Sequence, residues 1–492
     1  MRYIVYSLLV IVLVDSSCQK KVLDIKPKDI LYNDLAFSTP EKIEAATIAG
    51  YDGLQNYQFL AGRALLYVDA MGEDIIDRGQ TTGDINHFGQ LSNSAFAASV
   101  WSAGYDAIGR ANRTLSGIMD NSDKLNPTKA KELIAECKFV RAVANFYLVN
   151  FYAQPYGFTL DASHPGIPLI TVSYTSNDPD ANKPRASVGA VYTAIIDDLT
   201  AALADLPVSY PNVTDTVYNN KTRGTKAAAA SFLSRVYLYK GDYSNAKKYA
   251  LDVINGMYGT FALNSTVDGA FGPTHYMTKE TIWSIPNNSN DNPSTNYSLP
   301  QNYNALGRAD LAVSPTFLDT VTNRYFGKGD KRRSMIVTGV GTYSTLSFTT
   351  KYPDINSRAD WAPIIRYPEV LLTYAEAQAR TATGIDGDAV AKLNVVRDRA
   401  KADTTLSYTV NSFYNNDSLI AAILGERRIE LAFEGHRFWD LMRIKATVTN
   451  KYDSDGQKKL SDQPFGAQKN IFPIPQLEVD KSKKVLAQNE GY

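Results

Sequence analysis

Val236-Tyr237-Leu238-Tyr239-Lys240-Gly241-Asp242-Tyr243-Ser244-Asn245-Ala246-Lys247-Lys248-Tyr249 reads as two helices meeting at a glycine. The apolar run stops at Gly241, the residue type best able to take the left-handed conformation that closes a helix. A second helix begins beyond it, with Ala246 three positions after Tyr243. Small residues at such a seam let two antiparallel helices approach closely, and the upstream run Lys226 to Ala230 supplies the small face of the first helix. A pair this short cannot bury its apolar face alone, so further pairs are expected along the chain.

The turn resembles that of a tetratricopeptide repeat. A looser unit runs from Val370 to Thr381 and from Asp388 to Ala400, joined through Gly384 and Gly387. Ser99 to Met119 places Trp101, Tyr105, Ile108 and Leu115 near helical spacing, and Lys129 to Tyr152 does the same with Leu133, Cys137, Val140, Ala144, Tyr147 and Phe151. A long helix is predicted over 418–434, and Thr39-Pro40 reads as a cap and first residue of another. Between Asn255 and Pro363 the chain is rich in Gly, Pro, Asn, Ser and Thr, with β-leaning pieces such as Thr281 to Ile285. Loops this long in a folded domain are usually functional or disordered, and the aromatic content here favours an ordered, functional one. The fold class predicted is mostly α: helix-turn-helix repeats carrying a large irregular, loop-rich region with a few short strands.

Composition narrows the function. Of 492 residues, 44% are hydrophobic and 21% charged, an ordinary balance that supports a substantial core. Lys plus Arg and Asp plus Glu are equal at 51 each, so the basic footprint of a nucleic-acid binder is missing. Two cysteines make no disulfide framework, and Cys137 on its helical stripe reads as a small buried hydrophobe. The 31 tyrosines against 4 tryptophans suit interfaces and polar-ligand sites, although most are expected to close helix seams in the core.

At the N-terminus, Arg2 precedes an apolar run from Ile4 to Val14 and then Asp15-Ser16-Ser17-Cys18, the order of a secretory signal. The run falls short of the ~20 apolar residues that span a bilayer. Cys18 after small residues is similar to a lipobox cysteine, although Asp15 stands where a lipobox usually carries Leu. The division expected is a signal peptide over 1–17, a lipidated N-terminus and tether over 18–40, and one α domain over 41–492 with the loop region 255–363 inserted among its repeats.

Three segments together resemble the SusD/RagB family of outer-membrane nutrient-capture lipoproteins. They are Arg366-Tyr367-Pro368-Glu369-Val370-Leu371-Leu372-Thr373-Tyr374-Ala375-Glu376-Ala377, Glu426 to Leu441 with its Glu-Arg-Arg-Ile-Glu-Leu-Ala-Phe-Glu-Gly-His-Arg-Phe-Trp-Asp-Leu run, and the C-terminal Phe472-Pro473-Ile474-Pro475-Gln476 with Gln488-Asn489-Glu490-Gly491-Tyr492. Glu490 stands where the family more often has Pro. The resemblance implies about four tetratricopeptide-like helix pairs and a SusC-like, TonB-dependent outer-membrane transporter as partner. It also implies an oligosaccharide, or less often a peptide, as ligand, and a position on the outer membrane facing the exterior.

No catalytic constellation competes with this reading. Glu426, Glu430 and Glu434 at i, i+4 and i+8 beside His436 could in principle do acid–base work. Arg427, Arg428, Arg437, Arg443 and Asp440 interleave with them among Ile429, Phe433, Phe438, Trp439 and Leu441, which favours a buried, ion-paired junction. His87, His164, His275 and His436 show no ligand spacing, and Asp453-Ser454-Asp455-Gly456 meets its glycine too early for a calcium loop. No metal, cofactor or nucleic acid is therefore expected. The rival readings are a helical-repeat adaptor for protein or peptide ligands and a surface glycosidase.

Sugars stack their C–H faces on aromatic rings while planar polar groups bridge their hydroxyls, in sites that are concave and preformed. Trp101, Trp283 and Trp439 lie on stripes or strands and belong to the core. Two loops, 74–96 and 286–310, hold the remaining candidates: Phe88, Tyr297 and Tyr303 to stack on sugar faces, with Asp77, Arg78, His87, Asn290 and Arg308 to bind hydroxyls.

Overall fold

The computed structural model describes residues 33–492 apart from 80, 175–181 and 212–214, so Cys18 and the signal segment lie outside the described residues. The long helices are α1 (Pro40–Gln55), α2 (Arg63–Met71), α3 (Ala95–Asp120), α4 (Pro127–Tyr152), α5 (Val188–Asp205), α6 (Lys226–Lys240), α7 (Tyr243–Ile254), α8 (Tyr367–Thr381), α9 (Gly387–Ala400) and α10 (Asn416–Glu430). Two shorter ones, α11 (Arg437–Arg443) and α12 (Gln476–Lys481), close the chain. Thr39 caps α1 by accepting the Lys42 N–H, with Pro40 in the first turn, as its sequence predicted. A serine cap at Ser94 starts α3 four residues earlier than the apolar stripe suggested.

The helices stack in succession: α1 on α3, α3 on α4, α4 on α5, α5 on α6, α6 on α7, α7 on α8 and α8 on α9, with α10 against α8 and α9. Gly241 closes α6 at φ +79°. Its N–H donates to the Leu238 carbonyl at 3.1 Å, and the Asp242 N–H reaches back to Tyr237 at 2.9 Å, the paired bonds of a Schellman motif. Asp242 then caps α7 through the Asn245 N–H, and Ala246 is fully buried in the seam.

The helix predicted over 418–434 stops at Glu430 instead. Phe433 and Gly435 take positive φ, +66° and +75°, and the chain turns so that the Gly435 N–H meets the buried Asp69 carboxylate at 3.1 Å. A side chain at 435 would press on Leu65, with Cα 3.0 Å from an added Cβ, so glycine is needed for both space and conformation.

The irregular middle contains two small antiparallel sheets. β2 (Thr281–Ile285) pairs with β6 (Ala362–Arg366), and a four-stranded sheet runs β1-β3-β5-β4. Its strands are β1 (Ile75–Asp77), β3 (Leu311–Val313), β4 (Ile336–Val340) and β5 (Tyr343–Thr349). β1 lies far from the others in sequence and pairs with β3 in the register Ile75↔Val313 and Asp77↔Leu311. The core is continuous beneath these layers. Phe472 from the C-terminal segment packs 4.9 Å from Phe151 of α4, and the Asn489 carboxamide ties it down by donating to the Tyr152 and Phe472 carbonyls. Cys137 is buried, and desolvation raises its thiol far above the ordinary range.

Candidate functional site

The β1–β3 pair decides where the candidate residues go. β1 ends where the first predicted loop begins, and β3 starts where the second ends, so both loops leave one sheet edge. The Arg78 N–H continues the ladder to the Asp310 carbonyl at 2.9 Å. Two stretches more than 200 residues apart in sequence thus share one surface.

The surface is organised around Tyr297. Its ring stacks on Tyr57 with centroids 4.7 Å apart and planes 19° from parallel. The Arg63 guanidinium lies 4.3 Å from the Tyr297 centroid and 5.4 Å from that of Phe96, so Tyr57, Tyr297, Arg63 and Phe96 form a ladder of flat groups. Gly62 permits it, because a methyl group there would sit 2.2 Å from the Tyr297 carbonyl oxygen. Tyr57, 40% exposed, faces a polar hollow of about 190 Å³ that also presents Gln55, Asn56, Arg110, Asn287 and Asp291. Gln55 donates to Asp291 at 3.0 Å, and Arg110 is held by Asp106 at 2.7 Å, so these groups are positioned before any ligand arrives.

Other predicted residues continue the same surface. Arg308 grips Asp310 through Nε and Nη2 at 3.1 and 2.9 Å and donates from Nη1 to Asn296 at 2.7 Å, beside Tyr297. Arg78 donates to the Ala309 carbonyl at 3.0 Å and lies over the Tyr343 ring at 4.5 Å. Asn290 is exposed in a turn closed by the Asn288 carboxamide oxygen, which accepts the Asn290 and Asp291 N–H groups. His87 is exposed on the first loop.

Three of the predicted contacts lie inside the protein instead. Tyr303 is fully buried, stacks on Tyr352 at 5.7 Å, and donates its hydroxyl to Asp69 at 2.5 Å. Phe88 takes φ +56°, which turns its ring back towards Phe438 in the core. Asp77 is fully buried and accepts the Gly79 N–H at 2.8 Å; burial pushes its carboxyl up to about 7. None presents a face to a ligand: Phe88 packs on Phe438 of α11, Tyr303 lies against Tyr352 and Phe433, and Asp77 is enclosed within β1. The flat groups found beside Tyr297 and Arg78 are instead Tyr57, Arg63, Phe96 and Tyr343, which the sequence did not single out. Tyr57 continues the buried series Ile43, Thr47, Tyr51, Leu54 at helical spacing, and only the chain reversal at Asn56 sends it outward. No local pattern distinguishes it from a core tyrosine.

The stack of glutamates is a closed ion-pair junction. Glu430 meets Arg399 at 2.6 Å and Arg366 and Arg332 at 3.1 Å, while Glu434 meets Arg366 at 2.6 Å and Lys351 at 2.5 Å. Arg427 is shared by Asp440 and Glu369, and Arg443 joins Glu376 to Asp440. Burial alone would raise the Glu369 carboxyl, but Arg235, His436 and Arg427 outweigh it and hold it down to about 2. Burial lowers His436 to about 4, so it is neutral near pH 7 and charged only in the acid range where Glu369 itself titrates. Glu426, Glu430, Glu434, Arg366 and Arg427 are buried, and the hollow that Arg332, Lys351 and Glu430 border holds only about 20 Å³. Asp453 closes a polar turn by accepting the Gln457 and Lys458 N–H groups. Among the described residues no group of acidic, cysteine or histidine side chains is arranged to hold a metal ion, and no helix is long and apolar enough to cross a membrane.

Comparison with known proteins agrees with this architecture. The SusD family model matches residues 319–492, and a model described as starch-binding associating with outer membrane matches residues 21–238. The SusD-like protein P2 of Formosa agariphila is 25% identical over an alignment covering 96% of each chain, and its SusD-like protein P38 is 23% identical over 88% of this chain and 89% of that one. A putative sugar binding protein from Bacteroides vulgatus superposes with a TM-score of 0.76 at 26% identity, covering 92% of this chain and 99% of its own. A SusD superfamily protein from Bacteroides thetaiotaomicron shares the fold at a TM-score of 0.80 and 21% identity, with the same coverage. The helical repeats, the three sequence segments and these matches lead to one conclusion: the chain belongs to the SusD/RagB family.

Proposed function

We propose that this protein captures an oligosaccharide at the cell surface and delivers it to a SusC-like, TonB-dependent outer-membrane transporter, without acting chemically on it. The observation that carries the reading is the Tyr57–Tyr297–Arg63–Phe96 ladder beside the polar hollow at the meeting of the two loops. An exposed tyrosine face offers a stacking platform for a pyranose ring, and the fixed amides, carboxylates and guanidinium beside it match sugar hydroxyls, which both donate and accept. The sugar binding named for the Bacteroides vulgatus structure supports the same ligand class. In this reading Arg78, His87, Asn290 and Arg308 extend the contact surface around Tyr297.

Cys18 is the proposed anchor. A multiply acylated cysteine is retained stably at a membrane, where one chain would bind only marginally. Cys18→Ala should move the folded protein into the soluble fraction, and unchanged sedimentation with membranes would remove the anchor from the model. Delivery is tested by co-purification of the full-length protein with a SusC-like transporter from detergent-solubilised outer membranes. Capture is tested by calorimetric titration of an oligosaccharide panel against the wild type and Tyr297→Ala. Loss of the ring that backs the exposed Tyr57 platform should weaken binding by about 1–3 kcal/mol. A bound saccharide whose affinity ignores Tyr297→Ala places the site elsewhere.

A further inference from the structure

On the opposite side of α3 from Phe96 lies a larger concavity that the ladder does not use. At 3.6 residues per turn, Trp101 and Tyr105 point roughly 140–180° away from Phe96 around the helix. They line a groove of about 620 Å³ between α3, the segment after Pro168 and the C-terminal helix α12, within the ~300–1,000 Å³ typical of ligand sites.

We infer that this groove is a second saccharide site, taking a short neutral segment of glycan, so that one chain can hold a polysaccharide at two places. Three features carry this. The aromatic wall is fixed in advance: the partly exposed Tyr105 is backed at 4.7 Å by Trp101, which is only 5% exposed and packs edge-on to Tyr152 at 4.9 Å, and the Tyr105 hydroxyl is committed to the Pro168 carbonyl at 2.8 Å. The two rims are tied together, because the Asn182 carboxamide donates to the Ser482 carbonyl at 2.9 Å. The rims also mix sign: Lys183 on one side, Lys481 and Glu478 on the other. Lys481 and Glu478 are only loosely paired, at 3.9 Å, and Lys183 has no carboxylate partner among the described residues. Ammonium donors beside a carboxylate acceptor suit hydroxyls, which need both. The site as defined uses described residues alone.

The test uses the full chain and maltohexaose, cellohexaose, xylohexaose and a galactose hexamer as probes. Ser102 lines the groove and is exposed, so Ser102→Arg fills it without touching the core. At least one probe should change tryptophan fluorescence in the wild type and in Tyr297→Ala, and Ser102→Arg should weaken that response at least tenfold while its melting curve stays unchanged. Lys183→Ala should weaken it by a smaller factor, and Trp101→Phe should keep binding while losing the signal. The inference is overturned if no probe at millimolar concentration alters the fluorescence, or if Ser102→Arg leaves the response intact. Loss in Tyr297→Ala with retention in Ser102→Arg would keep the ladder as the sole site. The reverse pattern would leave the groove standing and remove the ladder, so the two readings fail separately.

Discussion

Glu430 and Asp77 are both buried carboxylates, one in the helical junction and one at the sheet edge, yet their surroundings differ in kind. Glu430 is ringed by Arg332, Arg366 and Arg399 and is held ionised well below the usual carboxylate range. Asp77 has one N–H partner, and its second oxygen has none among the described residues, so burial pushes it up to about 7. Among the described residues, the Thr82 hydroxyl and the Asn86 carboxamide in the adjoining loop are likewise buried without a hydrogen-bond partner. The junction joins α8, α9, α10 and α11 to the β2–β6 pair through several shared ion pairs. The loop edge is held by a short β pair and single hydrogen bonds, the kind of region that opens locally at lower free energy. In the proposed reading, the difference separates a scaffold from the surface that would meet the ligand.

The strongest way to break this contrast is to attack the junction. Arg366→Ala leaves Glu280, Glu430 and Glu434 facing each other with one fewer cation, and removing one partner of a buried pair costs about 3–5 kcal/mol. Urea denaturation should show a loss of that size. A loss below ~1 kcal/mol, the scale of a surface pair, would mean that the junction does not carry the scaffold.

The repeat seam should respond next. Ala246→Leu overpacks a fully buried position and should destabilise by about 1–3 kcal/mol. Gly241→Ala forces a side chain into the left-handed region at roughly 1–2 kcal/mol, since nothing crowds the site itself. Both should lower the melting temperature and leave saccharide affinity unchanged; lost binding at unchanged stability would move the seam into the site.

The two tyrosines of the loop region sharpen the comparison further. Tyr57→Ala should weaken saccharide binding by about 1–2 kcal/mol with little change in melting temperature, because the ring is partly exposed. Tyr303→Phe should do the opposite, removing the bond to Asp69 and costing about 1 kcal/mol of stability without touching affinity. Swapped outcomes would return Tyr303 to the site and Tyr57 to the scaffold.

The smallest effect is a divergence in pH dependence. Burial raises Asp69 and Asp77 from 3.8 to about 7, so the folded state keeps protons that the unfolded chain has released. Their contribution is complete below about 4 and is lost as pH rises through 7. Glu369 runs the other way: lowered from 4.5 to about 2, it contributes fully above 4.5 and loses its effect as pH falls through 2. Lys451 and Asp310 also act on Asp77, and Lys451 itself is lowered by burial to about 7, so the clean comparison lies on the acid side of neutrality. Amide hydrogen exchange across Ile75–Asp77, corrected for intrinsic rate, should be more protected at about pH 5 than at about pH 7, while α10 amides hold steady. Equal trends in both segments would dissolve the distinction.

Much of the scaffold was legible without coordinates because its signals are local. The glycine at 241, the Thr39 cap, the stripe through Cys137 and the interleaved charges of 426–443 each specify a conformation or a buried face within a few residues of themselves. The end of α10 was not legible, since nothing near Glu430 signals a stop; the helix ends because Gly435 must reach Asp69, hundreds of residues away in sequence. The same holds for the site. Sequence picked out the two loops and named Tyr297, Arg78 and Arg308, which fold to one surface, but could not tell the buried Tyr303 from the partly exposed Tyr57. Exposure of a loop side chain depends on which distant strand covers it, and here the β1–β3 pairing and the gap left at Gly62 made that choice. Helical periodicity is written into neighbouring residues, whereas burial in an irregular region is a property of contacts that exist only once the chain has folded.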